Sequence, residues 1–178
     1  MRAWSVIATA TLVLGVLSGV AAYERATPPD DWNEIAWPFP RDGWPAGRAF
    51  HCSAASCGGD IEVYIRPKLG FCNCTSGVAD DDEVDRVADV DLISERFVPI
   101  SAGEAVRVAD MPGRIRPYNL RLGDGTRAAI GIAVSHRCDL LVAAAQGRGD
   151  AIQVQRAALE LLAKAEPARW MKSAMNTQ

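Results

Sequence analysis

Residues 105–145, AVRVADMPGRIRPYNLRLGDGTRAAIGIAVSHRCDLLVAAA, decide the fold. Ala105–Ala109 reads as a strand, Met111-Pro112-Gly113 as a turn, and Arg114–Leu122 as a second strand in which Pro117 demands an edge-type position. Gly123-Asp124-Gly125 is a hairpin loop. Two apolar runs follow, Ala128–Val134 and Leu140–Ala145, divided by the polar Ser135-His136-Arg137. Short strands joined by tight turns pair with their chain neighbours, so the segment is an antiparallel meander.

Beyond the meander, Gly147, Gly149 and Asp150 close the sheet and open a helix over Ala151–Ala165. Ile152, Leu159 and Leu162 recur on one face, with Ala158, Leu161 and Ala165 beside them, which predicts a helix packed on the sheet. Pro167 begins a last helical piece carrying Trp170 and Met171. Upstream, Ile61–Arg66 alternates apolar and polar residues as a half-buried strand does, and Pro67 marks its end or an edge. Asp80–Glu83 precede Val84, Val87 and Ala88 at helical spacing, and acidic residues at a helix start suit the dipole. This acidic run lacks the alternating ligands and central Gly of a calcium loop. The class is therefore α+β, an antiparallel sheet packed by a C-terminal helix.

The N-terminal part sets the compartment. No charged side chain occurs from Ala3 to Ala22, Arg2 gives a positive start, and the run ends in small residues. Residues 1–22 are thus expected to be a signal peptide or, if uncleaved, an anchor spanning the inner membrane through residues 3–22. Residues 23–48 form an arm rich in Pro and Trp (Trp32, Trp37, Trp44), expected to be extended and to lie against the domain, which occupies residues 49–178.

Five cysteines stand at Cys52, Cys57, Cys72, Cys74 and Cys138. In an exported chain paired cysteines oxidise. If Cys72 and Cys74 share a strand face, each suits a different partner, and Cys52 and Cys57 are the near ones, so a hairpin stapled by two bridges is expected. Cys138 is left as the free thiol, a buried packing residue. A soft thiolate site for copper or zinc on Cys52, Cys57, Cys72, Cys74 and His51 is the alternative, and it would make the chain a metal or redox handler. A Cys138 nucleophile with His136 is a third reading.

Composition narrows the rest. After position 22 the chain has 18 basic and 22 acidic residues, a balance of −4, with no basic stripe, which argues against nucleic acid. No phosphate loop, Gly-x-Ser-x-Gly or His-Glu-x-x-His is present, so no catalytic residue is assigned. At Trp37-Pro38-Phe39-Pro40, Phe50-His51-Cys52, Cys57-Gly58, Gly70-Phe71-Cys72-Asn73-Cys74, Gly77-Val78-Ala79-Asp80-Asp81 and Arg137-Cys138-Asp139, the chain resembles a family of small exported proteins of α-proteobacteria. That resemblance implies a periplasmic setting and brings no activity or ligand. The late strand, strand, helix order is also similar to PsbP or Mog1 sandwiches, accessory proteins of larger assemblies. A non-enzymatic periplasmic accessory or binding protein, tied to an envelope complex, is the function expected.

Overall fold

The computed structural model describes residues 31–40, 42–70 and 74–175. The export segment, the first part of the arm and Cys72 lie outside these residues. Among the described residues no helix is long and apolar enough to cross a membrane.

One antiparallel sheet organises the domain. In chain order its strands are β1 (Trp32–Ile35), β2 (Arg48–Cys52), β3 (Ile61–Lys68), β4 (Phe97–Pro99), β5 (Glu104–Val108), β6 (Met111–Leu122), β7 (Gly125–His136) and β8 (Asp139–Gly147). They lie side by side as β1-β2-β3-β8-β7-β6, and the last strand carries β4 and β5 along its outer edge. The meander is thus present, with β6, β7 and β8 as its long members. Its first turn differs from the expectation: β5 and β6 are joined by Ala109-Asp110, both at positive φ, while Met111-Pro112-Gly113 belong to β6. Pro112 fits there because the pairing of β6 with β7 stops at Gly113, leaving no partner for the donor that Pro112 lacks. Pro117 fits for a similar reason, since it faces the break between β4 and β5, where its carbonyl accepts from Ile100 at 2.9 Å.

Side chains alternate across the sheet and bury both faces. On the inner face, Ile61, Val63, Ile65, Ile115, Ile130, Ile132, Val134 and Leu141 pack under two C-terminal helices, α4 (Ala151–Ala163) and α5 (Ala165–Met175). Asp150 caps α4, its carboxylate accepting from the Gln153 amide at 2.7 Å. The buried stripe of α4 is Val154, Ala157, Ala158, Leu161 and Leu162. Ile152, expected on that face, is 79% exposed.

The outer face is covered by α2 (Asp81–Val87) and α3 (Val90–Ile93), after a single helical turn, α1 (Ala54–Cys57), next to β2. Val84, Val87, Ala88 and Val90 sit on Tyr118, Leu120, Ala129, Ala133, Leu140 and Val142. Gly131 permits this approach: a Cβ there would come within 2.9–3.1 Å of Ala88, Tyr118 and Val90. The described part of the arm joins the same domain, so the domain begins before residue 49. Trp32–Ile35 adds an edge strand beside β2, and Trp37 and Phe39 stack edge-on with Tyr64 at 6.2 and 4.7 Å.

Candidate functional site

The four described cysteines lie in two places at opposite ends of β3. Cys52, at the end of β2, is bonded to Cys57 across the short turn α1. Cys74 is bonded to Cys138 in the two-residue turn between β7 and β8, 64 positions further along the chain. The expected cross-pairing of Cys52 and Cys57 with Cys72 and Cys74 is therefore corrected. Cys52 pairs in register with Ile61 at one end of β3, and the chain leaves β3 after Lys68, seven positions on, about 24 Å away at strand rise. Cys138 is corrected too: it is a bonded cysteine at a hairpin tip, where Arg137 takes a positive φ, and it has no thiol to act as a nucleophile with His136.

These bonds also bear on the metal alternative. Cys52, Cys57 and Cys74 carry disulfide sulfurs, which are not thiolate ligands. His51 turns to Asp60 at 2.7 Å, and among the described residues no group of three or more His, Cys, Asp or Glu is placed to hold an ion.

Sequence reasoning missed a buried charge knot on the outer face. Arg66, 2% exposed, donates through Nε and Nη2 to both oxygens of Asp89 at 2.5 and 2.9 Å, and through Nη1 and Nη2 to both oxygens of Asp42 at 2.8 and 2.7 Å. Lys68 Nζ donates to Asp89 Oδ1 at 2.6 Å and to the Val87 carbonyl at 2.9 Å. Trp37 stacks beside Arg66 at 5.8 Å and Trp44 beside Lys68 at 5.9 Å. The hydrogen bonds from Arg66 hold the Asp42 carboxyl down at about 2. Two cations face two anions, so the knot is neutral and its acceptors are taken. It fastens the arm, β3 and the α2–α3 junction together and offers no charge to a ligand.

A second outer network involves Asp81, Asp85, Arg114, Arg116 and Tyr118. Arg114 donates to Asp81 at 2.6 Å, and Arg116 and Tyr118 both donate to Asp85, at 2.7 and 2.6 Å. Burial, and then the bond to Asp85, push the Tyr118 phenol well above its ordinary range. This group ties α2 to β6 and is likewise internally satisfied.

An unsatisfied surface occurs elsewhere, where the inner layer stops short of the sheet edge. A groove of about 560 Å³ runs between α4 and the start of β5, lined by Glu104, Ile152, Gln155, Arg156, Leu159, Glu160 and Ala163. Val98 on β4 and Ile100 after it are also exposed, at 57% and 47%. Val98 pairs with Asn119 and, across β6 and β7, shares its row with Ala128, which packs on the inner core, so Val98 lies on the same sheet side as the groove. Scattered exposed apolar residues are ordinary, but a run of them along an open sheet edge marks a contact surface. The signal in the sequence was Ile152: the expected stripe put it inward with Leu159 and Leu162, and the buried stripe, which starts at Val154, leaves it out.

No protein-family model matches the chain, and no curated protein matches it. Among solved structures it is similar to the cyanobacterial PsbP protein of Synechocystis, at 15% identity over 76% of this chain and 81% of that one, with a TM-score of 0.49. It is also similar to LpqN of Mycobacterium tuberculosis, a protein involved in cell envelope biogenesis, at 11% identity over 75% and 76%, with a TM-score of 0.43. At these scores the likeness assigns no ligand or partner to this chain.

Proposed function

We propose that the chain is an exported, non-enzymatic accessory protein of the cell envelope that works in the periplasm by holding a partner protein. The groove between α4 and β5 carries this reading. It leaves Ile152 79% exposed beside an open sheet edge, whereas the acidic and basic groups on the opposite face are used up in holding the fold. Export is supported by the uncharged residues 3–22 and by two disulfides, which persist in an oxidising compartment. The same residues 3–22 tether the chain to the inner membrane if they are retained.

A photo-crosslinking residue placed at Ile152 in cells tests the docking surface, with the exposed Asp91 of α3 as the control position. A discrete adduct from position 152 and none from position 91 is the expected result. Equal labelling at both positions, or none at 152, would overturn the reading.

A further inference from the structure

The groove lies beside backbone that has its own unused chemistry. Among the described strands β5 pairs only with β6, so one of its long sides is open. The two-residue turn Ala109-Asp110 makes Val108 and Met111 a hydrogen-bonded pair, and pairs of that kind recur at every second residue. Glu104, Val106 and Val108 therefore turn their amides and carbonyls toward β6. Ala105 and Arg107 turn theirs outward. Ladder groups spaced in this way accept an extended chain and fit a helix poorly.

The side chains say which extended chain. Val106 packs on the inner core, so Glu104, two residues away, projects on the same side, where the groove against α4 begins. A strand added to β5 would direct alternate side chains into that groove, against Ile152, Leu159 and Ala163. Glu104 and Glu160 line it without an ion pair among the described residues, and with Arg156 the groove carries a net charge of −1. At the opposite edge the groove between β1 and α4 is smaller, about 280 Å³, and is lined mainly by polar side chains, among them Asp31, Gln153, Arg156, Glu160 and Lys164; β1 is four residues long, and its Glu34 is taken by Arg48 at 2.5 Å.

We infer that the partner docks by strand addition: an extended segment pairs with the Ala105 and Arg107 backbone and sets an aliphatic and a basic side chain, two residues apart, into the groove. This rests on the docking reading above and names the kind of segment that the groove takes. Antiparallel and parallel addition use the same outward groups, and the charge pattern, not the direction, sets the choice of sequence.

The test uses the full chain with its disulfides intact, immobilised and panned with a displayed library of random dodecapeptides. Enriched peptides should alternate, with Lys or Arg two residues from Val, Ile or Leu. Ala105→Pro removes an outward amide and leaves the β5–β6 ladder whole, as edge proline does, so it should lower peptide retention at least tenfold. Glu34→Pro, whose amide faces out from the β1 edge, should leave retention unchanged. Glu104→Lys keeps the backbone and should cut retention of the basic peptides by a similar factor, which covers the case in which the proline variant fails to fold.

Peptides held equally well by Ala105→Pro and Glu104→Lys would overturn strand addition, and so would a library that yields no enriched sequence. Crosslinking at position 152 separates the two levels. An adduct there with a failed selection leaves docking standing and removes the strand. No adduct removes the reading on which the strand rests.

Discussion

The two faces of the sheet are covered by different physics. Inside, α4 and α5 lie on a continuous apolar layer, with Val154, Leu161, Leu162 and Met171 set against Ile61, Ile65, Ile132 and Leu141. Outside, apolar packing under α2 and α3 is bounded by charge: the Arg66–Asp89–Lys68 knot on one flank and the Asp81–Arg114 and Asp85–Arg116 pairs on the other. An apolar layer tolerates losses in proportion to what is removed. A buried charge cluster does not, because each partner is tolerable only while the others are present. The inner layer should therefore weaken gradually and the outer one abruptly, which gives ways to test the difference.

The largest effect is expected at Asp89. Asp89→Ala leaves Arg66 and Lys68, 2% and 5% exposed, facing each other without their shared anion, and should cost about 4 kcal/mol in denaturant melts. If the knot is only solvent-screened decoration, the loss would stay under about 1 kcal/mol. Leu161→Ala is the matching change inside. It removes a side chain 1% exposed between α4 and the sheet and should cost roughly 3 kcal/mol, with a loss independent of pH across the neutral and mildly acid range. A pH-dependent Leu161→Ala deficit would mean that the two faces are not energetically separate.

Acid should loosen the outer face first. Asp42 titrates near 2 in the folded protein against an ordinary value of 3.8, because Arg66 binds its charged form. The unfolded chain therefore takes up this proton at higher pH than the native one. The contribution is fully present above about pH 4 and is lost as pH falls through about 2. Its size is at most about 2 kcal/mol, since Asp42 keeps 30% of its side chain in water. Fluorescence from Trp37 and Trp44, which flank the knot, should change between pH 4 and pH 2 before far-ultraviolet dichroism falls. Asp42→Asn should abolish that early phase, and coincident transitions in both signals would refute the ordering.

The same contrast explains what could be read in the sequence. The inner layer follows from local rules: the apolar runs Ala128–Val134 and Leu140–Ala145, Asp150 at the helix start, and a helical repeat after it all point to one arrangement. The outer layer depends on pairings across long separations. Arg66 meets Asp42 and Asp89, 24 and 23 positions away, and nothing local to Ile61–Lys68 says that its charged residues go inward. In period-two reading, the Arg and Lys of that strand mark the wet side, and here the arm and α2 cover it. The disulfides failed for the related reason that sequence nearness stood in for spatial nearness: Cys74 is closer in sequence to Cys57, but the end of β3 that precedes it lies beside the start of β8, next to the turn that carries Cys138. The groove was half visible. Ile152 was recognised as part of an apolar stripe, but which residues of that stripe reach the sheet depends on the angle at which α4 crosses it.

The smallest expected effect bears on why Ile152 is there at all. At 79% exposure on the first turn of α4, it contributes little to the core, so Ile152→Ser should change stability by no more than about 0.5 kcal/mol in either direction. Leu162→Ser, ten residues along the same helix and 1% exposed, should be strongly destabilising. A loss of more than about 1 kcal/mol at Ile152 would mean that the residue packs in the folded chain after all, and the groove would then be part of the core. A near-zero change combined with lost crosslinking or peptide retention would separate binding from folding at one side chain. In that case the inner layer itself divides in two, a stripe from Val154 to Leu162 that holds the helix to the sheet and a margin at Ile152 and Leu159 that is free to hold something else.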